Sequence, residues 1–175
     1  MDVMIDIETL ATQPDAVILT IGALKFDPKS NAEGDTIYHR LDVDSQIKMG
    51  RRVDEDTVAW WGKQTLAVRE EALGTSNRDP IDVVFDSISR FMVGVDNIWA
   101  QGPVFDIALM ENLLRQVKRP CPWHYWQIRD SRTLFKLLNE DPRPKNFEGA
   151  HNALTDCYHQ AKAVQKVFRQ LGLNR

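Results

Sequence analysis

The chain opens with alternating apolar and polar residues, a pattern typical of strands that bury one face. Residues 2–8 alternate, residues 17–26 form a longer apolar run, and residues 35–43 alternate again. Turn-forming residues separate the second and third of these segments. Three successive strands at the start of the chain predict an antiparallel meander.

Helical spacing of apolar residues replaces the alternation further along the chain. Asp54 is expected to cap one helix, and Asp79 is expected to cap another that continues with a first-turn proline, Pro80. The pattern predicts helices at 54–64, 64–73, 81–92, 104–117, 130–138 and 153–171, a strand at 97–101, and a short strand or loop near 123–128. This order predicts an α/β fold, in which parallel crossover units extend the meander into a mixed sheet covered by helices.

Length and composition narrow the class of protein. The 175 residues are 43% hydrophobic and 27% charged, which predicts a single globular domain over 1–175 and excludes a disordered chain. No apolar run is long enough for a membrane span, and the start lacks the basic segment of a signal peptide. With only Cys121 and Cys157 present, a disulfide framework is not expected, and the prediction is a cytoplasmic protein.

The small net charge of −3 hides a strong asymmetry. Residues 1–114 carry 10 Lys and Arg against 20 Asp and Glu, whereas residues 115–175 carry 12 against 5. A basic region suits a polyanionic partner, although such segments are more often simply solvated. An acidic region beside it suits a phosphate-bearing partner only where some of its carboxylates hold cations.

Two carboxylates share one face of the first predicted strand. Asp6 and Glu8 are two residues apart, so their Cβ atoms lie about 7 Å apart on that face. On a central strand they repel each other unless a cation lies between them, and hard oxygen ligands suit Mg²⁺ or Mn²⁺. The alternative is an edge strand that carries two solvated acids.

Three further residues carry candidate chemistry. Asp106 begins a helix after a buried strand, where open α/β sheets usually place their sites. His151 and Asp156 flank the start of the last helix, and a histidine beside carboxylates can act as a general base. Taken singly, Asp106 is more simply an acid favoured by the helix dipole, and His151 a capping or surface residue.

In combination these residues carry a family resemblance. DxET on the first strand, FD at a later helix start and HxxxxD near the last helix resemble the motifs of the DEDD superfamily of 3′-to-5′ exonucleases, in its DEDDh branch. Longer stretches such as TVAWWGKQ, WHYWQIRDSRTL and HNALTDCYHQA are similar to small phage and prophage exonucleases related to exonuclease A and exonuclease VIII. The resemblance covers nearly the whole chain and implies a ribonuclease H-like fold.

The resemblance also implies roles for the five residues. Asp6, Glu8 and Asp156 would hold a first metal ion, and Asp6 and Asp106 would support a second, each ion being Mg²⁺ or Mn²⁺. His151 would take a proton from the attacking water. The implied reaction releases nucleoside 5′-monophosphates from single-stranded 3′ ends, with DNA favoured over RNA, and the small members of the family imply a homodimer.

Four residues are candidate substrate contacts. Thr9 matches a position that holds the terminal nucleotide in relatives, and Leu10 could wedge against the last base; turn chemistry and core packing are the alternatives. Gln101 stands where many relatives have Asn or a similar residue, which is a departure from the family pattern. Trp60 and Trp61 point about 100° apart on a helix, so one of them, assigned as Trp61, is expected to stack on a base. Two tryptophans at the edge of the core are the alternative.

A second aromatic group lies further along the chain. Trp123, Tyr125 and Trp126 are interleaved with Arg129 and Arg132, a composition that suits single-stranded nucleic acid. Spacing alone leaves open whether they face the substrate.

Other readings of the same residues have different consequences. An exoribonuclease of the same fold is the first alternative. A non-catalytic nucleic-acid-binding module would have lost at least one of the five residues, and all five are present. A thiol hydrolase based on Cys157 is disfavoured, because Cys157 lies on the apolar stripe of the last helix.

Overall fold

A computed structural model describes residues 1–145 and 147–173 of the chain. The single-domain prediction over 1–175 therefore also includes three residues that lie outside the described part. The strands are β1 (Asp2–Thr9), β2 (Ile18–Phe26), β3 (Glu33–Arg40), β4 (Ile98–Ala100) and β5 (Ile128–Asp130). The helices are α1 (Val43–Lys48), α2 (Glu55–Gly62), α3 (Leu66–Leu73), α4 (Ile81–Phe91), α5 (Asp106–Gln116), α6 (Ser131–Phe135) and α7 (Ala153–Gln170), with a 3₁₀ turn at Tyr125–Gln127.

The five strands form one mixed sheet in the order β3-β2-β1-β4-β5. The β1–β2 and β2–β3 pairs are antiparallel, and β1–β4 and β4–β5 are parallel. The predicted meander, extended by parallel strands, is therefore confirmed. The strand order makes β1 the central strand, so the alternative of an edge strand with two solvated acids is wrong.

The alternation of β1 separates the two sides of the sheet. Val3, Ile5 and Ile7 pack in a core cluster with apolar residues of α4 and α5. Met4 points to the other side and packs with the apolar stripe of α7. Helices thus cover both faces, and the face of Met4 is also the face of Asp6 and Glu8.

A glycine allows α7 to approach the sheet closely. Gly22 on β2 pairs with Asp6 on β1. A Cβ atom at Gly22 would lie 2.4 Å from the backbone of Ala153 and Leu154. The missing side chain therefore lets the first turn of α7 rest on the strand beside Asp6.

The largest difference from the predicted elements follows β3. The third strand was predicted over 35–43, but β3 ends at Arg40 and the unpredicted helix α1 begins at Val43. The Asp42 carboxylate accepts hydrogen bonds from the backbone N–H groups of Asp44 and Ser45. This cap starts a helix where the alternation of residues had suggested a continuing strand.

The predicted cap of α4 is wrong. Pro80, expected in the first turn, instead occupies the cap position before Ile81, and no side chain caps this helix. The Asp79 carboxylate instead lies 2.8 Å from Nδ1 of His39, whose Nε2 lies 2.9 Å from the Ser87 hydroxyl. Asp79 thus interacts with His39 of β3 and does not cap α4.

The remaining differences are shifts of element ends. The helix predicted at 130–138 ends at Phe135, and the segment near 123–128 contains the 3₁₀ turn and leads into β5. Within the described residues, no helix combines the length and the apolar character that crossing a bilayer requires.

Candidate active site

The site is built on the carboxyl-terminal half of β1. Asp6 and Glu8 project half-buried from the same face of this central strand, as its alternation predicts. The close approach of α7 at Gly22 adds Asp156 from the first turn of that helix. Asp6, Glu8 and Asp156 each offer a carboxylate oxygen, and these three oxygens lie within 4.8 Å of one another.

Asp106 comes to this group from α5, on the neighbouring part of the chain that packs beside β1. It is the first residue of α5 and only 5% exposed. Its Oδ1 accepts a hydrogen bond of 3.3 Å from the backbone N–H of Ile7, between Asp6 and Glu8. The structure therefore brings Asp106 beside the carboxylate pair, although it is not a member of the group of three.

Burial and mutual repulsion make these carboxylates hard to ionise. Desolvation, together with the charges of Asp156 and Asp106, raises the pKa of Glu8 to about 8. Burial raises the pKa of Asp106 to about 7 and that of Asp156 to about 6. The pKa of Asp6 lies well above its usual range, first through burial and then through its acidic neighbours. A divalent cation relieves both effects, so these oxygen ligands fit Mg²⁺ or Mn²⁺.

The raised pKa values predict how stability depends on pH in the absence of metal. A carboxyl group with a higher pKa in the folded state binds more protons folded than unfolded, so the free energy of unfolding falls as pH rises between the two values. In EDTA we expect the melting temperature to drop by about 5 °C between pH 5 and pH 8. Scanning calorimetry with and without Mn²⁺ tests this.

Mn²⁺ should recover most of that loss at pH 8 and little of it at pH 5. The variant Glu8→Gln should show a smaller drop in EDTA, whereas Asp35→Asn, at an exposed position of β3, should behave as the wild type. A melting temperature that is independent of pH and of Mn²⁺ would contradict the assignment of these carboxylates as a cation site.

His151 is held at the edge of the carboxylate group. Its backbone N–H donates a hydrogen bond of 3.0 Å to Oδ2 of Asp156, and its φ of 66° lies in the left-handed region. The imidazole packs edge-on against Trp60, with ring centroids 4.9 Å apart. Burial lowers the pKa of His151, so at neutral pH the ring is uncharged and able to accept a proton.

The predicted substrate contacts have different surroundings. The Thr9 hydroxyl donates a hydrogen bond of 2.6 Å to the Ala11 carbonyl, in keeping with turn chemistry. Leu10 packs in a cluster with Leu19 and Trp61, in keeping with a core residue. Gln101 lines a cavity of about 710 Å³ that reaches Asp156. Gln101 therefore shares a cavity with Asp156, whereas Leu10 is buried in the core.

The choice of Trp61 as a stacking residue is wrong. Trp61 is 1% exposed, and its indole N–H donates a hydrogen bond of 2.9 Å to the Thr9 carbonyl. Trp60, packed edge-on against Trp61, is 40% exposed. The ring available to a base beside His151 is therefore that of Trp60.

The structure also removes the thiol hydrolase alternative. Cys157 is fully buried, and its Sγ donates to the Gly22 carbonyl at 3.2 Å. Burial raises the pKa of this thiol well above its usual range, which leaves it protonated and unreactive.

Sequence reasoning missed Gln160. This residue of α7 is 7% exposed, and its Nε2 donates a hydrogen bond of 2.8 Å to Oδ1 of Asp6. The Gln160 Oε1 is buried without a hydrogen-bond partner among the described residues, and the side chain lines the same cavity as Gln101. The available signal was its spacing, because Gln160 lies four residues after Asp156 on one helix face.

This contact predicts an effect on metal affinity. The Gln160 amide fixes the orientation of the Asp6 carboxylate and lowers its pKa. We expect Gln160→Leu to weaken Mn²⁺ binding by about tenfold or more, since hydrogen-bond partners of metal ligands typically contribute that much. Isothermal titration calorimetry measures it, with Gln170→Leu on the exposed end of α7 as the control. An unchanged Kd would show that Gln160 only packs.

The chain is similar to known proteins over most of its length. The model of the family described as "3'-5' exoribonuclease Rv2179c-like domain" matches residues 1–168. An exodeoxyribonuclease of Enterobacteria phage T4 is 26% identical over 207 aligned positions, which span 96% of this chain and 89% of that protein. Both similarities extend over almost the whole chain.

Solved structures show the same fold. Exonuclease I of E. coli in complex with a dT13 oligonucleotide superposes with a TM-score of 0.68 at 18% identity, covering 98% of this chain. The chain spans only 42% of that enzyme's length. The nuclease domain of 3'hExo, a DEDDh family member bound to rAMP, gives a TM-score of 0.60 at 11% identity, over 99% of this chain and 94% of that domain. The expected ribonuclease H-like fold is thus confirmed.

Proposed function

The chain belongs to the Rv2179c-like 3′-5′ exoribonuclease domain family and is a 3′-to-5′ exonuclease of the DEDDh type, and from this premise we propose that it degrades single-stranded nucleic acid, DNA in preference to RNA. The observation that carries the proposal is the group of three carboxylate oxygens within 4.8 Å with His151 at its edge. The products are nucleoside 5′-monophosphates, released one at a time.

In this proposal Asp6, Glu8 and Asp156 would hold one divalent ion, and Asp106 with Asp6 would support a second. When bound, two ions of Mg²⁺ or Mn²⁺ would lower the pKa of the attacking water and neutralise charge on the leaving oxygen. The chain's own contribution is to fix the ligands: β1 and α7 set the carboxylates, and the Gln160 amide orients Asp6. Without cations the raised pKa values favour protonation of these carboxyl groups, and bound cations would favour their ionised form.

His151 acts as the general base. A bond forms between the water oxygen and the phosphorus of the terminal nucleotide, while the bond from that phosphorus to the preceding 3′ oxygen breaks. The water's proton passes to a ring nitrogen of His151, which is unprotonated near neutral pH because burial lowers its pKa. The leaving 3′ oxygen takes up a proton from solvent, which leaves a 3′-hydroxyl on the shortened strand. Packing against Trp60 and the hydrogen bond to Asp156 hold the residue in place.

The preference for DNA rests on the relatives. The phage T4 relative is an exodeoxyribonuclease, and the exonuclease I structure holds a deoxythymidine strand. The family description favours the second candidate, an exoribonuclease. Discrimination depends on contacts to the 2′-hydroxyl.

One assay tests activity and sugar preference together. The protein is incubated with 5′-labelled single-stranded DNA or RNA of one sequence, in Mg²⁺, Mn²⁺ or EDTA, with Asp6→Ala in parallel. A metal-dependent ladder that shortens DNA faster from the 3′ end supports the proposal, and faster shortening of RNA selects the exoribonuclease. Absence of cleavage in every metal would overturn both in favour of a binding module.

The proposal also includes a cellular compartment and an oligomeric state. Cys121 and Cys157 are both free thiols, which suits a reducing compartment such as the cytoplasm. The homodimer implied by the resemblance stays a prediction, which sedimentation velocity tests directly.

A further inference from the structure

Three consecutive rings protrude from the surface at the 3₁₀ turn before β5. Tyr125 is 82% exposed and Trp126 58% exposed. The His124 ring stacks on Trp126 with centroids 4.2 Å apart and planes 9° from parallel, and Tyr125 meets Trp126 edge-on at 5.1 Å. We call His124, Tyr125 and Trp126 the aromatic ledge. Contiguous exposed apolar patches, unlike single exposed residues, mark interaction sites.

The backbone under the ledge is fixed by hydrogen bonds. The Gln127 side chain accepts from the His124 backbone N–H at 2.9 Å and donates to the carbonyls of Val95 and Asp96 at 2.9 and 3.2 Å. The Arg129 guanidinium donates to the Trp126 carbonyl at 2.6 Å. Rings on such an anchored turn lose little entropy when they bind a partner.

A cation lies against the ledge, because the Arg129 guanidinium donates to the Trp126 carbonyl. The nearby exposed carboxylate of Asp96 is neutralised by its ion pair with the amino terminus. Aromatic rings interleaved with cations match the two needs of a single strand, because bases stack on the rings while phosphates are neutralised.

The ledge lies away from the carboxylates, at the opposite end of the sheet. Strand register places Ile128 level with Ile98, and Ile98 level with Val3. Asp6 and Glu8 lie further along β1 toward its carboxyl end, so the ledge is on the order of 20 Å from them. At a rise of about 3.4 Å per nucleotide, a stacked strand covers that distance in about six nucleotides.

We propose that the aromatic ledge binds bases of the single-stranded substrate several nucleotides upstream of the 3′ end that is being cleaved. This inference rests on the proposed function and adds a second contact to it. The ledge gives the enzyme a preference for strands long enough to reach both places, while the chemistry at the carboxylates is unchanged.

The test compares the double variant Tyr125→Ala, Trp126→Ala with the wild type on a tetranucleotide and a dodecanucleotide of DNA. We expect KM for the dodecanucleotide to rise about tenfold in the variant, in line with the loss of base stacking. The kcat on both substrates and the KM for the tetranucleotide should stay unchanged. Trp126→Phe should restore much of the affinity, and Leu66→Ala, another exposed apolar residue, should have no effect.

Two further measurements separate this inference from the proposed function. Fluorescence anisotropy of a labelled dodecanucleotide in EDTA measures binding without turnover, and equal affinities for wild type and variant would overturn the ledge even in an active enzyme. Wild type that binds through the ledge but cleaves neither substrate would instead count against the proposed function. A variant that changes only from dimer to monomer in sedimentation velocity would show that the ledge binds a second copy of the chain, and would overturn the inference.

Discussion

Replacing Asp6 with asparagine should lower kcat by about 10³-fold or more while the fold is retained. Asp6 belongs to the group of three carboxylates, is close to Asp106 and accepts the Gln160 amide. Asparagine has nearly the same volume but lacks the charge that a divalent ion requires, so the developing charge at phosphorus loses its stabilisation. Single-turnover cleavage of a 5′-labelled strand measures the loss.

The controls for this variant address stability and metal binding. Asp6→Asn removes one of several buried and mutually repelling carboxylates, so its melting temperature in EDTA at pH 8 should equal or exceed that of the wild type. Calorimetric titration should show Mn²⁺ affinity strongly reduced. A variant that keeps its activity in Mg²⁺ would remove Asp6 from the proposed mechanism.

Replacing His151 with asparagine should lower kcat by about 10²- to 10⁴-fold, the range usual for loss of a general base. Asparagine tolerates the left-handed backbone that residue 151 adopts, and its N–H can still donate to Asp156. The carboxylates therefore stay in place, and Mn²⁺ affinity should change little.

The pH profile distinguishes a base from a positioning residue. In the wild type the rate should rise with pH as His151 loses its proton, and the midpoint of this limb should lie below the usual imidazole pKa, because burial lowers the pKa of His151. The His151→Asn profile should lack the limb. A variant that loses activity and Mn²⁺ affinity together, with the limb intact, would indicate that His151 only supports Asp156.

The sequence was sufficient for the features that depend on local periodicity. Alternation in β1 placed Asp6 and Glu8 on one face, and helical spacing located α4, α5 and α7 to within a few residues. These predictions held because one buried face imposes a period of 2 on a strand and of 3.6 on a helix.

The errors arose where a distant residue decided the outcome. Asp79 binds His39 from a neighbouring strand instead of capping α4. Trp61 was chosen over Trp60, although two adjacent residues of a helix offer the sequence no sign of which one faces the core. Gln160 contacts Asp6 across 154 positions of the chain, and no local pattern reports such a contact.

Because Asp156 comes from α7, which packs on Gly22, the active site is completed only late in the synthesis of the chain. Gln160 lies 154 positions after Asp6, so at about 5–20 residues per second the ribosome needs roughly 10 to 30 s to make the helix that completes the site. Until α7 emerges and settles against Gly22, the nascent chain carries Asp6 and Glu8 without Asp156. A growing chain, which is surrounded by messenger and ribosomal RNA, therefore has an incomplete active site until α7 packs against the sheet.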